Sequence, residues 1–184
     1  MTGKAEILND AEIEEILKEI ESMPMKQAAD VAALKIVQKH RGYVSDDALR
    51  AIAVMLDMTS DELDAVATFY NLIFRKPVGR HVILICDSIS CWITGEIDML
   101  ASLEQKLGIK LGETTRDGMF TLLPSACLGH CDMAPVMMLD GEIIGNLTDE
   151  KIGQVLAKIS EESNGEEWNL SLPEISLMGI PLYG

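Results

Sequence analysis

The residues best suited to chemistry in this chain are four cysteines that occur as two close pairs. Cys86 and Cys91 bound the segment "CDSISC", and Cys127 and Cys131 bound "CLGHC". These four are all the cysteines of the 184-residue chain, and the pairs are separated by thirty-five residues. The pattern is therefore C-x4-C followed by C-x3-C. Thiols at such spacings can hold a metal centre or form disulfides.

Three kinds of site accept four cysteines, and the spacing favours an iron–sulfur cluster. Structural zinc sites accept four thiolates, but their paired cysteines are usually two residues apart. An iron–sulfur cluster is larger and tolerates wider gaps, and a four-residue gap occurs in [2Fe–2S] ferredoxins. Disulfides suit the pairing but are rare in the reducing cytoplasm. From spacing alone, zinc and redox-active thiols stay open as alternatives.

The elements around the cysteines predict that both pairs lie at one edge of a sheet. The β-branched run from His81 to Cys86 predicts a buried strand, and "MFTLLPSAC" at 119–127 predicts a second one. Helical spacing in residues 96–109 indicates a crossover helix, which makes the two strands parallel. Parallel strands end at the same edge of a sheet, so we expect both cysteine pairs, which follow the two strand ends, to lie at that edge.

Two further strands and a helix complete this part of the chain. "APVMMLDGEIIGNL" at 134–147 predicts a hairpin, because Asp140-Gly141 is a strong two-residue turn. Residues 148–159 predict a closing helix. The order β-α-β-β-β-α indicates an α/β domain over residues 78–160.

Residues 1–77 show helical periodicity instead. Asn9 and Glu12 form a capping box ahead of the first helix, and Ser45 and Ser60 are predicted to cap the third and fourth. The predicted helices span residues 9–22, 25–40, 45–56 and 60–74. Short helices joined by tight loops indicate a helical bundle. The predicted fold class is therefore α+β, an N-terminal helical bundle followed by an α/β domain.

The charge and hydropathy of the chain exclude several partners. It carries a formal net charge of −15, with 30 Asp and Glu against 15 Lys and Arg, so we expect no nucleic acid and no anionic membrane surface as a partner. Its apolar runs are far shorter than the ~20 residues that cross a bilayer. The first residues lack the pattern of a signal peptide. We therefore expect a cytoplasmic protein with no direct membrane insertion.

Three segments carry a resemblance to a known family. "ATFYNLIF" at 67–74, "KPVGRHVILICDSISC" at 76–91 and "CLGHCDMAPVMMLDG" at 127–141 resemble the thioredoxin-like [2Fe–2S] subunits of NADH dehydrogenase modules. That family includes the 24 kDa-type, or E, subunit of NADH:quinone oxidoreductase (complex I). The resemblance covers about residues 10–160. It implies a thioredoxin-like [2Fe–2S] fold for the second domain.

The resemblance also implies the ligands of the metal centre. The implied ligands of one [2Fe–2S] cluster are Cys86, Cys91, Cys127 and Cys131. No catalytic residue is implied on this chain, because NADH and FMN belong to a partner subunit in that family. His130 is a departure, since the family often has a small residue there. Because four cysteines suffice as ligands, we interpret His130 as a neighbour of the cluster or a solvent-facing side chain.

The implied function is electron transfer inside an NADH-oxidising complex. The partner is a flavoprotein subunit that binds NADH and carries FMN and a [4Fe–4S] cluster, and other subunits complete a peripheral arm at the inner face of the membrane. Because the chain and its thiolates are negatively charged, we expect a low reduction potential. The resemblance extends equally to diaphorase subunits of NAD(P)-linked hydrogenases and formate dehydrogenases. A zinc-stabilised adaptor without redox chemistry is the alternative from a different class.

One backbone feature also follows from the resemblance. Thioredoxin-like folds commonly carry a cis proline just before the first strand of the final hairpin, and this chain has Pro135 there. We therefore predict that the Ala134–Pro135 bond is cis, although only ~5% of X–Pro bonds in folded proteins are.

Residues 161–184 differ in character from the rest and are predicted to be an extended tail. They contain no Lys or Arg, begin polar and end apolar, and Pro173 and Pro181 disfavour a long helix. Because an exposed apolar cluster promotes aggregation, we expect the stretch from Trp168 to Tyr183 to be an interface element. The alternative is that it folds back onto its own subunit.

Truncation after Ser160 tests the role of the tail. We expect the truncated chain to bind its flavoprotein partner more weakly, because the apolar side chains of the contact are removed. The cluster content and melting temperature of the isolated chain should not change. Unchanged affinity together with a lowered melting temperature would show that the tail packs on its own subunit.

Overall fold

The computed structural model describes residues 7–162 and divides the chain into two compact units. The first unit ends at Val78 and the second begins at Gly79. Helices combined with a mixed sheet confirm the α+β class. The predicted interface element from Trp168 to Tyr183 lies outside the described residues. Within those residues, no helix is both long enough and apolar enough to cross a membrane.

Over residues 7–78, the first unit contains four α-helices around an apolar core. They are α1 (Asp10–Ser22), α2 (Asp30–Arg41), α3 (Asp46–Met55) and α4 (Ser60–Phe69). The largest fully buried side chains are Ile16, Leu34, Ile52, Leu56 and Leu63. The predicted second helix is wrong in its first turn, where Lys26–Ala29 form a 3₁₀ turn. The α-helix begins at Asp30, whose carboxylate accepts the next N–H, as aspartates at helix starts do.

Two of these helices begin with capping boxes. The Asn9 side chain accepts the Glu12 N–H at 2.8 Å and the Glu12 carboxylate accepts the Asn9 N–H at 2.8 Å, as predicted. The predicted cap of α3 is also confirmed. In α4 the predicted cap, Ser60, is wrong, because the Thr59 hydroxyl accepts the Glu62 N–H. Of Thr59 and Ser60, only Thr59 has a glutamate three residues further on, and the reciprocal hydrogen bond of a capping box requires that glutamate.

The fourth helix ends at Phe69, earlier than the predicted end near residue 74. A buried glutamine on α2 explains the difference. Gln38 donates its side-chain N–H to the Leu72 carbonyl at 2.8 Å and accepts the Phe74 N–H at 2.6 Å. These bonds replace helical hydrogen bonds in the segment after α4, so the apolar pattern of that segment does not continue the helix.

Over residues 79–162, the second unit contains a four-stranded sheet and three α-helices. The strands are β1 (His81–Cys86), β2 (Phe120–Ser125), β3 (Met137–Leu139) and β4 (Glu142–Ile144), and the helices are α5 (Ile89–Ile93), α6 (Glu96–Leu107) and α7 (Asp149–Glu162). The sheet order is β2-β1-β3-β4, with β1 and β2 parallel and the other pairs antiparallel. The predicted order of elements is confirmed, with the short helix α5 as an addition.

The hairpin between β3 and β4 has the predicted turn. Asp140 and Gly141 both have positive φ, 49° and 92°, as a type I′ turn requires. The Asp140 carboxylate also accepts the Val82 N–H at 2.8 Å and lies 2.6 Å from the His81 Nδ1 atom. Asp140 thus links the hairpin to β1 through hydrogen bonds to Val82 and His81. Helices α6 and α7 pack on this sheet, with Leu103 and Ile152 fully buried.

A buried ion pair joins α1 to α2 in the first unit. Glu12 is fully buried, and its two carboxylate oxygens each lie 2.5 Å from a guanidinium nitrogen of Arg41. The hydrogen bond to Glu12 raises the pKa of Arg41. Because the Glu12 carboxylate is out of water, its charge depends on Arg41 for compensation.

Replacing Arg41 tests this pair. We expect Arg41→Met to lower the free energy of unfolding by about 3 kcal/mol, because Glu12 is left buried without its cation. The matched control is Arg50→Met, which removes an exposed pair with Asp47 and should change it by at most about 0.5 kcal/mol. Urea unfolding of the purified chain measures both. Equal effects would show that the buried pair does not hold α1 against α2.

Candidate metal centre

The parallel pairing of β1 and β2 brings the two cysteine-bearing segments together. Cys86 lies opposite Ser125, the last residue of β2, and Cys127 follows two residues later. The Asp87 N–H donates to the Ser125 carbonyl at 3.0 Å, so the two chains remain joined as they leave the sheet. The predicted parallel arrangement is confirmed.

The first cysteine pair is buried. Cys86 ends β1 and Cys91 lies in α5, and each is 1% exposed. Helix α5 begins after Ser88, whose carbonyl accepts the Trp92 N–H at 2.9 Å. The Ser88 hydroxyl also lies 3.3 Å from the Cys86 sulfur. This short helix turns the chain back after β1, so that Cys91 is hydrogen-bonded to Cys86.

The surroundings of these two buried thiols shift their pKa values in opposite directions. Burial acts to raise the pKa of Cys86, but hydrogen bonds from Ser88, from the Leu128 N–H and from the other buried thiol lower this pKa overall. Burial, together with the neighbouring thiols of Cys86 and Cys131, raises the pKa of Cys91 to about 11. The surroundings thus favour ionisation of the Cys86 thiol. The Cys91 thiol needs a nearby positive charge, such as a metal ion, to ionise.

The second cysteine pair is exposed and lies beside the first. Cys127 and Cys131 are both exposed, whereas Leu128 between them packs its side chain against the buried cysteines. The Gly129 N–H donates to the Cys127 sulfur at 3.4 Å. Gly129 has a φ of 78°, and a Cβ there would meet no atom within 4 Å. Position 129 therefore favours glycine because of its backbone conformation, and not because a larger side chain would clash with a neighbour.

The segment before β3 forms another wall of the site. The Val136 carbonyl accepts the Cys86 N–H at 3.2 Å, and the Val136 N–H donates to the Cys91 sulfur. The preceding Ala134–Pro135 bond is cis, as predicted. Val136 forms one buried cluster with Cys86 and Cys91, and Ala134 packs against this cluster.

The donor set at this end of the sheet suits an iron–sulfur cluster. All four cysteines are free thiols, and the N–H groups of Leu128, Gly129 and Val136 donate to three of their sulfurs. Thiolates are the usual ligands of such clusters, and hydrogen bonds to sulfur tune them. Among residues 7–162, no three His, Cys, Asp or Glu side chains are grouped so as to hold a single metal ion. His130 is exposed.

Gly145 controls the position of the turn that carries Cys131. Residues Cys131–Met133 form a 3₁₀ turn, and the Met133 carbonyl accepts the Asn146 N–H at 2.5 Å. A Cβ on Gly145 would lie 2.4 Å from the Met133 Cβ and 3.0 Å from its carbonyl oxygen. Glycine is therefore the residue that allows this approach.

Sequence reasoning missed Ser88 and the N–H groups of Leu128 and Val136, which are hydrogen-bonded to the sulfurs. Ser88 could have been found, because a serine just before a short apolar run is a candidate helix cap. The N–H groups of Leu128 and Val136 carry no such information, since every residue except proline has one. Gly145 was missed because its close neighbour, Met133, is distant in sequence.

Comparisons with known proteins identify the family. The sequence profile of the thioredoxin-like [2Fe–2S] ferredoxin family matches residues 13–160. The chain belongs to this family. It is 50% identical to the E subunit of NADH-quinone oxidoreductase from Escherichia coli (strain K12) over 151 residues, which cover 82% of this chain and 91% of that protein. The corresponding E subunit from Pseudomonas aeruginosa is 44% identical over 150 residues, which cover 82% and 90%. The resemblance inferred from the sequence is confirmed.

A solved structure has the same fold. A region of the NAD+-reducing [NiFe]-hydrogenase, in its air-oxidized crystal structure, superposes with a TM-score of 0.62 at 23% sequence identity. The match covers 77% of this chain and 25% of that one, so this chain spans about a quarter of the hydrogenase chain. At this identity the likeness concerns the fold alone.

Gly145→Ala tests the support of the Cys131 turn. We expect iron to be lost to a chelator about tenfold faster than from the wild type, because the new methyl group displaces Met133. The matched control is Gly153→Ala in α7, where the nearest atom to a new Cβ is the Lys106 Cε at 3.9 Å. That change should raise stability by about 0.4–1 kcal/mol and leave iron retention unchanged. Equal iron loss from both variants would contradict the role of Gly145.

Proposed function

We propose that this chain is the electron-transferring E subunit of an NADH:quinone oxidoreductase and carries one low-potential [2Fe–2S] cluster. The proposed cluster ligands are Cys86, Cys91, Cys127 and Cys131. The observation that carries the proposal is that two cysteine pairs, far apart in sequence, lie beside each other with backbone N–H groups donating to their sulfurs. The 50% identity to a protein of that name, over 91% of its length, supports the same conclusion.

The two cysteine pairs have different tasks in this proposal. The buried thiols of Cys86 and Cys91 would hold the cluster from the protein interior and keep water from it. The exposed thiols of Cys127 and Cys131 would hold it from the surface, where a redox partner can approach. When bound, a [2Fe–2S] cluster accepts and releases one electron at a time.

The charges around the cysteines favour a low reduction potential. The chain has no Lys or Arg between Arg80 and Lys106, nor between Arg116 and Lys151. These two stretches contain all four cysteines together with Asp87 and several other acidic residues. Negative surroundings oppose the addition of an electron, and the N–H donors offset this only in part.

The remaining cofactors belong to other chains in this proposal. A flavoprotein partner would bind NADH and carry FMN and a [4Fe–4S] cluster, and further subunits would complete the complex. The helical domain of residues 1–77 would bind a neighbouring subunit, and residues 78–160 would carry the cluster. The complex would lie in the cytoplasm at the inner face of the membrane, as a peripheral arm without a membrane-inserted segment from this chain.

Cluster analysis of the purified full-length chain tests the ligand assignment. We expect about two irons and two acid-labile sulfides per chain, a red-brown colour that dithionite bleaches, and a rhombic EPR signal after reduction. Cys127→Ala should lose most of the cluster, because one thiolate ligand is missing. The matched control, His130→Ala in the same loop, should retain it.

Several outcomes would contradict the proposal. A colourless, zinc-loaded protein would favour the adaptor alternative. A full cluster in Cys127→Ala would overturn the four-ligand assignment, and its loss in His130→Ala would give the histidine a ligand role. Purification of the native complex identifies the partners by mass spectrometry. Hydrogenase or formate dehydrogenase subunits in place of quinone-reducing ones would assign the chain to a diaphorase.

A further inference from the structure

Ser88 occupies the position of a helix cap, but its hydroxyl does not cap the helix. The residue precedes α5 with extended backbone angles, φ −76° and ψ 162°, and its carbonyl accepts the Trp92 N–H at 2.9 Å. A serine at this position normally accepts the N–H two or three residues further on through its side chain. Over residues 79–162, the Ser88 side chain forms no bond of this kind. Its hydroxyl is therefore available for another contact.

The polar caps of four other helices show what is different at Ser88. At the starts of α1, α3, α4 and α7, the side chain before the helix accepts the N–H three residues further on, at distances between 2.8 and 3.3 Å. These four caps are Asn9, Ser45, Thr59 and Thr148. For Ser88 the equivalent N–H belongs to Cys91. The Ser88 hydroxyl lies instead 3.3 Å from the sulfur of Cys86.

The chemistry of the sulfur fixes the direction of this hydrogen bond when Cys86 is a metal ligand. A free thiol carries a proton, so either the thiol or the hydroxyl can donate. A ligating cysteine is a thiolate, which has no proton and can only accept. The Ser88 hydroxyl must then donate to the Cys86 sulfur. A hydrogen bond to an ionised group is stronger than one between neutral groups.

The Ser88 hydroxyl differs from the other donors because it belongs to a side chain. The N–H groups of Leu128, Gly129 and Val136 that donate to the sulfurs belong to the main chain. Every residue except proline supplies such a group, whereas a hydroxyl requires a particular residue type. The residue at position 88 therefore decides whether the Cys86 sulfur receives this bond.

We propose that Ser88 is a positioning residue that acts through Cys86 and raises the reduction potential of the [2Fe–2S] cluster. The inference rests on the proposed function, since it requires that Cys86 is a cluster ligand. Reduction adds negative charge that the ligating sulfurs share, so a donor to one of them stabilises the reduced state more than the oxidised state. The bond is partly buried, which increases its electrostatic effect. The hydroxyl thus offsets part of the effect of the acidic surroundings without adding a cation.

Redox titration of the full-length, cluster-containing chain, followed by EPR, tests this role. We expect Ser88→Ala to lower the equilibrium constant for one-electron reduction about three- to tenfold, and tenfold corresponds to about 59 mV. Ser88→Thr, which keeps a hydroxyl, should remain within about twofold of the wild type. The matched control is Ser90→Ala in the same helix, next to Cys91, and it should also remain within about twofold. Within residues 7–162, the Ser90 hydroxyl makes no hydrogen bond to a sulfur.

The sign of the change separates this role from a merely structural one. If Ser88 only closed the site to water, its removal would admit water, which stabilises the more highly charged reduced state and raises the potential. Loss of the hydrogen bond lowers the potential. Pulsed EPR in ²H₂O gives a second readout, because the coupling of the hydroxyl deuteron should be present in the wild type and in Ser88→Thr and missing in Ser88→Ala. An unchanged or raised potential in Ser88→Ala, or an equal fall in Ser90→Ala, would overturn the proposal.

A second variant keeps the test decisive if Ser88→Ala holds too little cluster to titrate. Glycine is accepted at helix caps at little cost but has no hydroxyl, so Ser88→Gly should keep the cluster and show the same fall in potential. Cluster loss in both variants, with retention in Ser88→Thr, would overturn the proposed effect on the potential, because the hydroxyl would then be needed to hold the cluster.

Failure of the proposed function has a separate signature. A wild-type chain that contains zinc or disulfides and gives no [2Fe–2S] EPR signal after reduction would overturn that function, and the role of Ser88 with it. A cluster-containing wild type whose potential is unchanged by Ser88→Ala would overturn only the role of Ser88.

Discussion

The parallel pairing of β1 with β2 is the contact on which the metal centre depends. It sets Cys86 opposite the end of β2, so that the loop of Cys127 leaves the sheet beside it. Because parallel strands need a crossover connection, α5 and α6 must lie between them, and α5 carries Cys91. β3 pairs with the other side of β1 and brings Val136 to the backbone of Cys86 and the sulfur of Cys91. A different register would separate the donors that these three strands bring together.

The electrostatics of the site explain why it suits a metal-bound state. The two cysteine pairs lie at the same end of the sheet in a chain with a net charge of −15, and ionising all four thiols without a cation would be unfavourable. Hydrogen bonds prepare Cys86 for ionisation, whereas burial and its thiol neighbours raise the pKa of Cys91. Exposure leaves the other two thiols accessible from solvent. Metal binding at such a site releases protons and contributes to folding stability.

A polar residue with long-range partners accounts for the wrong predicted end of α4. The strands, the hairpin turn and most caps followed from local patterns, because alternation, Asp-Gly turns and capping boxes are encoded within a few residues. The early end of α4 did not, since it depends on Gln38, thirty-six residues away from Phe74. The ion pair of Glu12 with Arg41 is similar: the local pattern identifies Glu12 only as a capping residue, and its partner lies twenty-nine residues away.

The sequence by itself determined the four candidate ligands, the family and the α+β class, because residue type and spacing carry that information. The cis bond before Pro135 was predicted from the resemblance to the family. Only the tertiary structure decided which thiols are buried, which N–H groups donate to them and why residue 145 is glycine. It also decided that Ile89, Trp92 and Ile93 of α5 are exposed, although isoleucine and tryptophan usually pack inside. The physical reason is that burial and hydrogen bonding depend on neighbours distant in the chain, whereas spacing and local propensity do not.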